Sequence, residues 1–465
     1  MSTMGEEDYD VIVLGGGAGG VPAAIRAAQL GGRVAIIENR DFGGQCMNRG
    51  CIPFGHMMLA SGIVKSLSLG KEMGLGVHDV TTLDYPALTK RQEELIDFMR
   101  QGVVSTLKKN KVELYKGTGT IAGKGTIEIN GKNISFQKLI LATGATWTMP
   151  AFPGAELEEV RNTDALLNLE EVPKRALVFG ESPWLIEIAQ FLARFGSQVI
   201  LATPEDSILS SESRAIISRL RKVLRGEGIA IKTEAAIGRA ERKNQGLTVE
   251  LSAKDGTETV ALDTLLTLER VPALKGIGLS SINLEEESPF LAVNDRMETS
   301  VQGIYAIGDL TAPSEDHYSH RAAQTGIVAA ENAMGKTVSV NPRTLTRVIF
   351  TQPEVASVGL SAKEARDHGY ETVVGSAPLS MNPFGMILAE NEGLIEVVAD
   401  KRYGEILGIR MIGTAASEMA GQAVLAIQME ATLEDLDKTP FPHPTLSESL
   451  AEAARDALGK PIYLP

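Results

Sequence analysis

Cys46 and Cys51 are the only cysteines in the chain, five positions apart in the run GGQCMNRGCIP at residues 43–53. A structural disulfide framework uses more cysteines at wider spacing, so so close a pair points to catalysis or to a metal. A cysteine-rich metal site needs further ligands nearby. His56 is the sole histidine close by, and no metal is expected. A second chemical group sits near the start: Gly15, Gly17 and Gly20 form G-x-G-x-x-G, and Glu38 follows. The first glycine permits a tight turn, the second lets the backbone approach a pyrophosphate, and the third lets helix and strand pack closely. A helix starting there offers unpaired N–H groups and partial positive charge to phosphates. Glu38 can accept hydrogen bonds from ribose hydroxyls. Together these residues predict a dinucleotide site.

Those residues need elements to hold them. Residues 10–14 (DVIVL) read as a short strand, 21–30 as an alanine-rich helix, and 33–37 (RVAII) as a strand ending at Glu38, which makes a βαβ unit. Residues 86–109 read as a helix. Residues 127–136 (IEINGKNISF) alternate around Asn130-Gly131 and read as a hairpin. Residues 138–141 (KLIL) read as a buried strand running into Ala142-Thr143-Gly144. A second βαβ unit spans residues 176–203 and repeats the first. A separate pattern resumes near Pro272 and reaches IYAIGDL at residues 304–310. After Pro342, strands such as LIEVVA and ILGIRMIG alternate with alanine-rich helices, as in an α+β domain.

At GGQCMNRGCIP the sequence resembles the pyridine nucleotide–disulfide oxidoreductases, most closely the dihydrolipoamide dehydrogenases. The resemblance covers essentially the whole chain. It includes ATG at residues 142–144, IGD at 307–309, QPEVASVGL at 352–360 and HPTLSE at 443–448. It implies a glutathione reductase-like α/β fold: two Rossmann-like dinucleotide-binding domains and an α+β C-terminal dimerisation domain. The expected division is an FAD-binding domain at 1–148, a degenerate NAD-binding-like domain at 149–271, a central domain completing the FAD site at 272–341, and an interface domain at 342–465. FAD is implied in the first site, held by Gly15, Gly17, Gly20, Glu38, Gly44, Gly119, Thr143, Gly144 and Asp309. His320, in HYSHRAAQTG, falls in a segment resembling a flavin-adjacent one.

The resemblance also assigns the thiols: Cys51 faces the flavin, Cys46 exchanges with substrate, and the pair cycles between disulfide and dithiol. On an ideal helix, positions i and i+5 lie about 140° apart, so the pair cannot bridge within a regular helix. A loop-to-helix transition at Gly50 permits the close approach, and the helix start at Cys51 is expected to favour thiolate. The family's histidine, here His443, moves protons to and from the interchange thiol, and Glu448 orients its ring. An imidazole suits that task near neutral pH. In the family this histidine comes from the partner subunit, which implies a homodimer.

The second βαβ unit departs from the pattern. Where G-x-G-x-x-G should stand, the chain has Gly180-Glu181-Ser182-Pro183-Trp184-Leu185. Ser182 places a Cβ where backbone should approach phosphate, Pro183 removes an N–H, and Leu185 fills the close-packing position. Thr203 stands where an acid should hold ribose, and Glu269-Arg270-Val271-Pro272 replaces the family's G-R-x-P. Each loss costs about 1–3 kcal/mol, and two or three weaken binding by roughly 10²–10⁴-fold. The expectation is that NAD(P) is not used efficiently. After CIP the family has a small residue and then lysine, but Phe54-Gly55 stand here. Glu187, that lysine's family partner, is left as a buried carboxylate with raised proton affinity.

The expected function is dithiol/disulfide oxidoreduction on a lipoyl carrier protein or another dithiol, with electrons passing through FAD to a partner other than NAD. The alternatives are an NAD-dependent dihydrolipoyl dehydrogenase with an atypical pocket, and a non-catalytic FAD-bearing scaffold. Mercuric reductase is disfavoured because GKPIYLP at the end of the chain lacks a cysteine pair. The net charge of −14 argues against nucleic acid. The acidic start MSTMGEEDYD lacks a signal-peptide layout, and no apolar run approaches a membrane span. Cytoplasmic localisation is expected.

Overall fold

The computed structural model describes residues 8–76, 83–243, 246–285, 289–313 and 316–464. Residues 1–7, on which the targeting expectation partly rests, lie outside them.

The first sheet grows outward from the glycine turn. Strand Asp8–Leu14 pairs in parallel with Val34–Glu38 on one side and with Lys132–Leu141 on the other, and Glu113–Lys116 extends the parallel edge. These strands are near-continuous apolar runs because helices cover parallel sheets on both faces. Val11, Ile12 and Val13 are fully buried. Helix Gly20–Gln29 buries Ala23, Ala24 and Ala27, small side chains that allow close contact with helix Ser319–Ala333.

At the other edge, Asn130 and Gly131 take φ of 52° and 75° and join Thr126–Ile129 to Lys132–Leu141. Positive φ at both central residues gives the two-residue turn that matches strand twist. The sequence separates a hairpin at 127–136 from a strand at 138–141, but the structure joins them. Lys132–Leu141 is one strand, antiparallel to the hairpin partner in its first half and parallel to Asp8–Leu14 from Ser135 onward. Residues after Pro272, read as a separate pattern, return to this sheet, where Ile304–Ala306 pairs in parallel with Lys132–Leu141.

The repeat forms a second, all-parallel sheet in the order Ala230–Lys232, Gln198–Ala202, Arg175–Phe179, Thr264–Thr267, Val160–Asn162. Helix Trp184–Arg194 follows its first strand, and Leu185, Ile186 and Ala189 pack with Phe54, Met57 and Met58 of the cysteine helix Cys51–Glu72. Two short antiparallel strands, Ala145–Thr148 and Glu269–Pro272, link the two sheets and set Trp147 opposite Arg270. The C-terminal unit is a five-stranded antiparallel sheet with helices Ala416–Gln428 and Glu448–Ala457 packed on it. Among the described residues, no helix is long and apolar enough to cross a membrane.

Candidate active site

A cleft of about 1370 Å³, measured to its open mouth, runs along the glycine turn to the cysteines. Gly15, Gly17, Glu38, Gly44, Gly119, Thr143, Gly144 and Asp309 line it, as does Cys46. Gly20 does not; it keeps the helix close instead. A Cβ there would lie 1.9 Å from the Gly15 carbonyl oxygen. A Cβ on Gly44 would lie 2.5 Å from the Gly17 Cα, so side chains would close the space between turn and cysteine segment. Glu38 accepts hydrogen bonds from Gly16 N at 2.7 Å and Arg40 N at 2.6 Å. It fixes the turn while lining the cleft. Thr143 donates its hydroxyl to Ala273 O at 2.9 Å, tying the returning segment down. The Nδ1 atom of His317, another lining residue, is buried without a hydrogen-bond partner. A phosphate-approaching glycine turn, a helix N-terminus with no acid in its first turn and this orphaned ring nitrogen fit FAD.

Cys46 lies in helix Gly44–Arg49 and Cys51 is the first residue of the next helix, so Gly50 breaks the helix between them. Both are free thiols. The Cys51 Sγ lies 3.5 Å from Ser319 Oγ. The hydrogen bond from Cys51 lowers Cys46 to about 7, against the desolvation that opposes it. Cys51 is raised, first by that same pairing and then by burial. The helix-start argument favoured thiolate at Cys51; the pairing of the two thiols is the first cause of both shifts, downward at Cys46 and upward at Cys51.

His443 Nδ1 stands 2.9 Å from Glu448 Oε1, and Thr445 N also binds this carboxylate at 3.0 Å. The imidazole is exposed, and neither residue lines the cleft within one chain. His320 Nε2 meets Thr346 O at 2.7 Å, which turns the ring toward the C-terminal unit, and it does not line the cleft. Ser319, its neighbour, does.

Residues 9–336 match the pyridine nucleotide-disulphide oxidoreductase family, and residues 345–454 match its dimerisation domain. The chain belongs to this family. Among relatives, the oxidoreductase is 40% identical to a dihydrolipoyl dehydrogenase of Thermus scotoductus over 97% of this chain and 98% of that one. It is 34% identical to one of Geobacillus stearothermophilus, covering 98% of each. Its fold matches LpdA from Mycobacterium tuberculosis with TM-score 0.88 at 23% identity, covering 96% of this chain and 98% of that one. It also matches the HOCl-induced flavoprotein disulfide reductase RclA from Escherichia coli at TM-score 0.83 and 23% identity, covering 96% and 99%. The oxidoreductase is thus a dihydrolipoamide dehydrogenase-like FAD enzyme with a glutathione reductase-like fold.

Beyond the expected residues, the oxidoreductase places Arg270 in the cleft. Sequence reading took it as part of a nicotinamide-side pattern. Its guanidinium binds Asp309 Oδ2 at 3.0 Å and stacks over Trp147 and Trp184, 5.5 and 5.9 Å from their ring centroids. The four residues are far apart in sequence; the strand link sets Trp147 opposite Arg270, and Trp184 and Asp309 come from other elements. That both tryptophans of the chain share one cation is the one signal composition could have raised. Trp184 lines the flavin cleft and also a small cavity with Ser182 and Pro183. A larger cavity beyond is lined by Gly180, Glu181, Thr203, Glu205 and Arg347. Glu269 is raised by burial and then by the charge of Glu181, the residue next to Gly180. Leu185 is fully buried where the first site has Gly20.

Glu187 is 5% exposed and accepts one hydrogen bond, from Phe350 N at 2.9 Å. Burial pushes its carboxyl up to about 8, and the nearby Cys51 and Glu354 charges push the same way. No cation pairs with it among the described residues, as expected from Gly55.

Proposed function

We propose that the enzyme oxidises or reduces a lipoyl-type dithiol at Cys46–Cys51 as a homodimer and exchanges electrons with a partner other than NAD(H). One contrast carries this reading: the thiol and flavin half keeps its residues, while the Gly180 turn carries Glu181, Ser182, Pro183 and Leu185, with Glu269 near enough to feel the Glu181 charge. A negative, donor-poor turn opposes a pyrophosphate. The stacked Trp184 and Arg270 stand between that turn and the flavin cleft.

FAD, when bound, supplies a two-electron store beside the thiols. The chain's own residues do the exchange. A substrate thiolate attacks Cys46 Sγ of the enzyme disulfide, and the Cys46–Cys51 bond breaks as the mixed disulfide forms. The second substrate thiolate then attacks the substrate sulfur of the mixed disulfide, closing the substrate disulfide as the bond to Cys46 Sγ breaks and Cys46 leaves as thiolate. Its low proton affinity makes Cys46 a good leaving group. His443 of the partner subunit takes the substrate proton at Nε2, while Glu448 holds Nδ1. The four-part division 1–148, 149–271, 272–341 and 342–465 belongs to this proposal.

Anaerobic titration with dihydrolipoamide, NADH and NADPH, followed in the flavin spectrum, tests it. Dihydrolipoamide should bleach the flavin at stoichiometric amounts and the nicotinamides should not. Rapid stoichiometric bleaching by NADH would return the enzyme to the NAD-dependent dihydrolipoyl dehydrogenase reading.

A further inference from the structure

A basic cleft opens on this acidic protein between the second Rossmann unit and the C-terminal sheet, and it shares no lining residue with the flavin cleft. The open recess spans about 2170 Å³, counting the solvent at its mouth. One wall is helix Arg214–Gly226. Its apolar face buries Ile216, Leu220 and Leu224, and Arg214, Arg221, Lys222 and Arg225 line the cleft along the other. These positions lie at i, i+7, i+8 and i+11, one stripe of a helix. The short helix Ala362–Asp367 supplies Lys363 and Arg366 from the opposite wall.

Arg410 lines the base of the cleft at 1% exposure. It is bonded to Glu212 at 3.0 Å and Glu364 at 3.3 Å, yet its Nε is buried with no partner.

The acids of the cleft are largely committed: Glu212 to Arg410 and Ser357, Glu396 to Ser213. Lys222 pairs with Glu392 and Lys363 with Asp367. Arg214, Arg221 and Arg225 have no ion-pair partner among the described residues, and Arg366 reaches only the Thr372 hydroxyl, at 3.3 Å. Unpaired guanidinium groups gathered around one recess repel each other unless an anion joins them. Their planar forks match phosphate oxygens two at a time. Ser210, Ser211, Ser218 and Ser361 line the same space and add neutral donors. A recess with cations on two facing walls and a buried arginine at its base suits a compact multivalent anion better than an extended acidic chain, which would meet only the rim.

We propose that this cleft binds a small polyphosphate-bearing molecule, gripped by Arg214, Arg221 and Arg225 from one wall and Arg366 from the other.

Inorganic tripolyphosphate, titrated calorimetrically into the FAD-loaded enzyme, is the test. One site per chain is expected, binding tripolyphosphate more tightly than orthophosphate and weakening with added salt. Arg221→Ala and Arg366→Ala should each weaken binding about tenfold and together about a hundredfold. Lysine at both positions should restore part of the affinity, and dithiol oxidation without the anion should stay unchanged. Absence of binding, many weak sites per chain, or affinity undiminished in the double variant would each overturn the proposal. So would an oligoglutamate peptide that binds as tightly and is displaced by tripolyphosphate.

Discussion

Two thiols joined by one hydrogen bond share a proton, and the environment decides which releases the other. Here Cys46 ionises near 7, well below an ordinary thiol of about 8.5. In the reduced enzyme, iodoacetamide should therefore alkylate Cys46 with a rate midpoint near pH 7. Cys51→Ala, which deletes the donor, should move that midpoint up by at least a unit. An unchanged midpoint would refute the pairing as its cause. Glu187 makes the complementary case. Its folded-state proton affinity exceeds the unfolded one, so its contribution to stability is complete below about pH 4.5 and is lost as pH rises to about 8. Glu187→Gln should flatten the fall in melting temperature between pH 5 and 8.5. The difference between the two proteins should grow with pH, toward a few kcal/mol. Parallel curves would show that a counter-charge relieves the carboxylate.

The two Rossmann repeats show how one position sets an element's distance from its neighbour. At Gly20 a single methyl would sit 1.9 Å from a backbone oxygen, so the helix must retreat or the turn must open. Gly20→Ala should therefore yield protein depleted of flavin, read as the absorbance ratio of flavin to protein, with the second unit still folded. In the repeat, buried Leu185 already holds the helix by side-chain packing against the cysteine helix. Ser182→Gly alone should then leave NADH binding undetectable, because Pro183 still lacks its N–H and the carboxylates remain. Tight NADH binding by that variant would make Ser182 the sole obstacle. The hairpin and the strand after it merged for a related reason: each half of Lys132–Leu141 has its own partner, and pairing is not visible in a local pattern.

At the scale of the molecule, the proposed proton shuttle lies away from the cleft of its own chain. His443 and Glu448 are set in hydrogen-bond geometry, and the ring is exposed. In the proposal, dimerisation through the C-terminal unit brings the pair to the partner's thiols. His443→Ala should slow dithiol exchange roughly 10²–10⁴-fold with FAD retained, and Glu448→Gln should cost less. Mixed dimers of Cys46→Ser and His443→Ala chains should recover one working site. Heterodimers that form yet stay inactive would exclude a shuttle across subunits. The glycine turn, the cysteine pair, the histidine–glutamate pair and the two repeats were legible in sequence because each depends on residues within a few turns of one another, where spacing and residue type settle the local geometry. The Arg270 stack between two tryptophans and the arginine cleft around Arg410 were not legible. Each arises where strands and helices distant in the chain are packed together, and burial there sets charge and contact that no local pattern encodes.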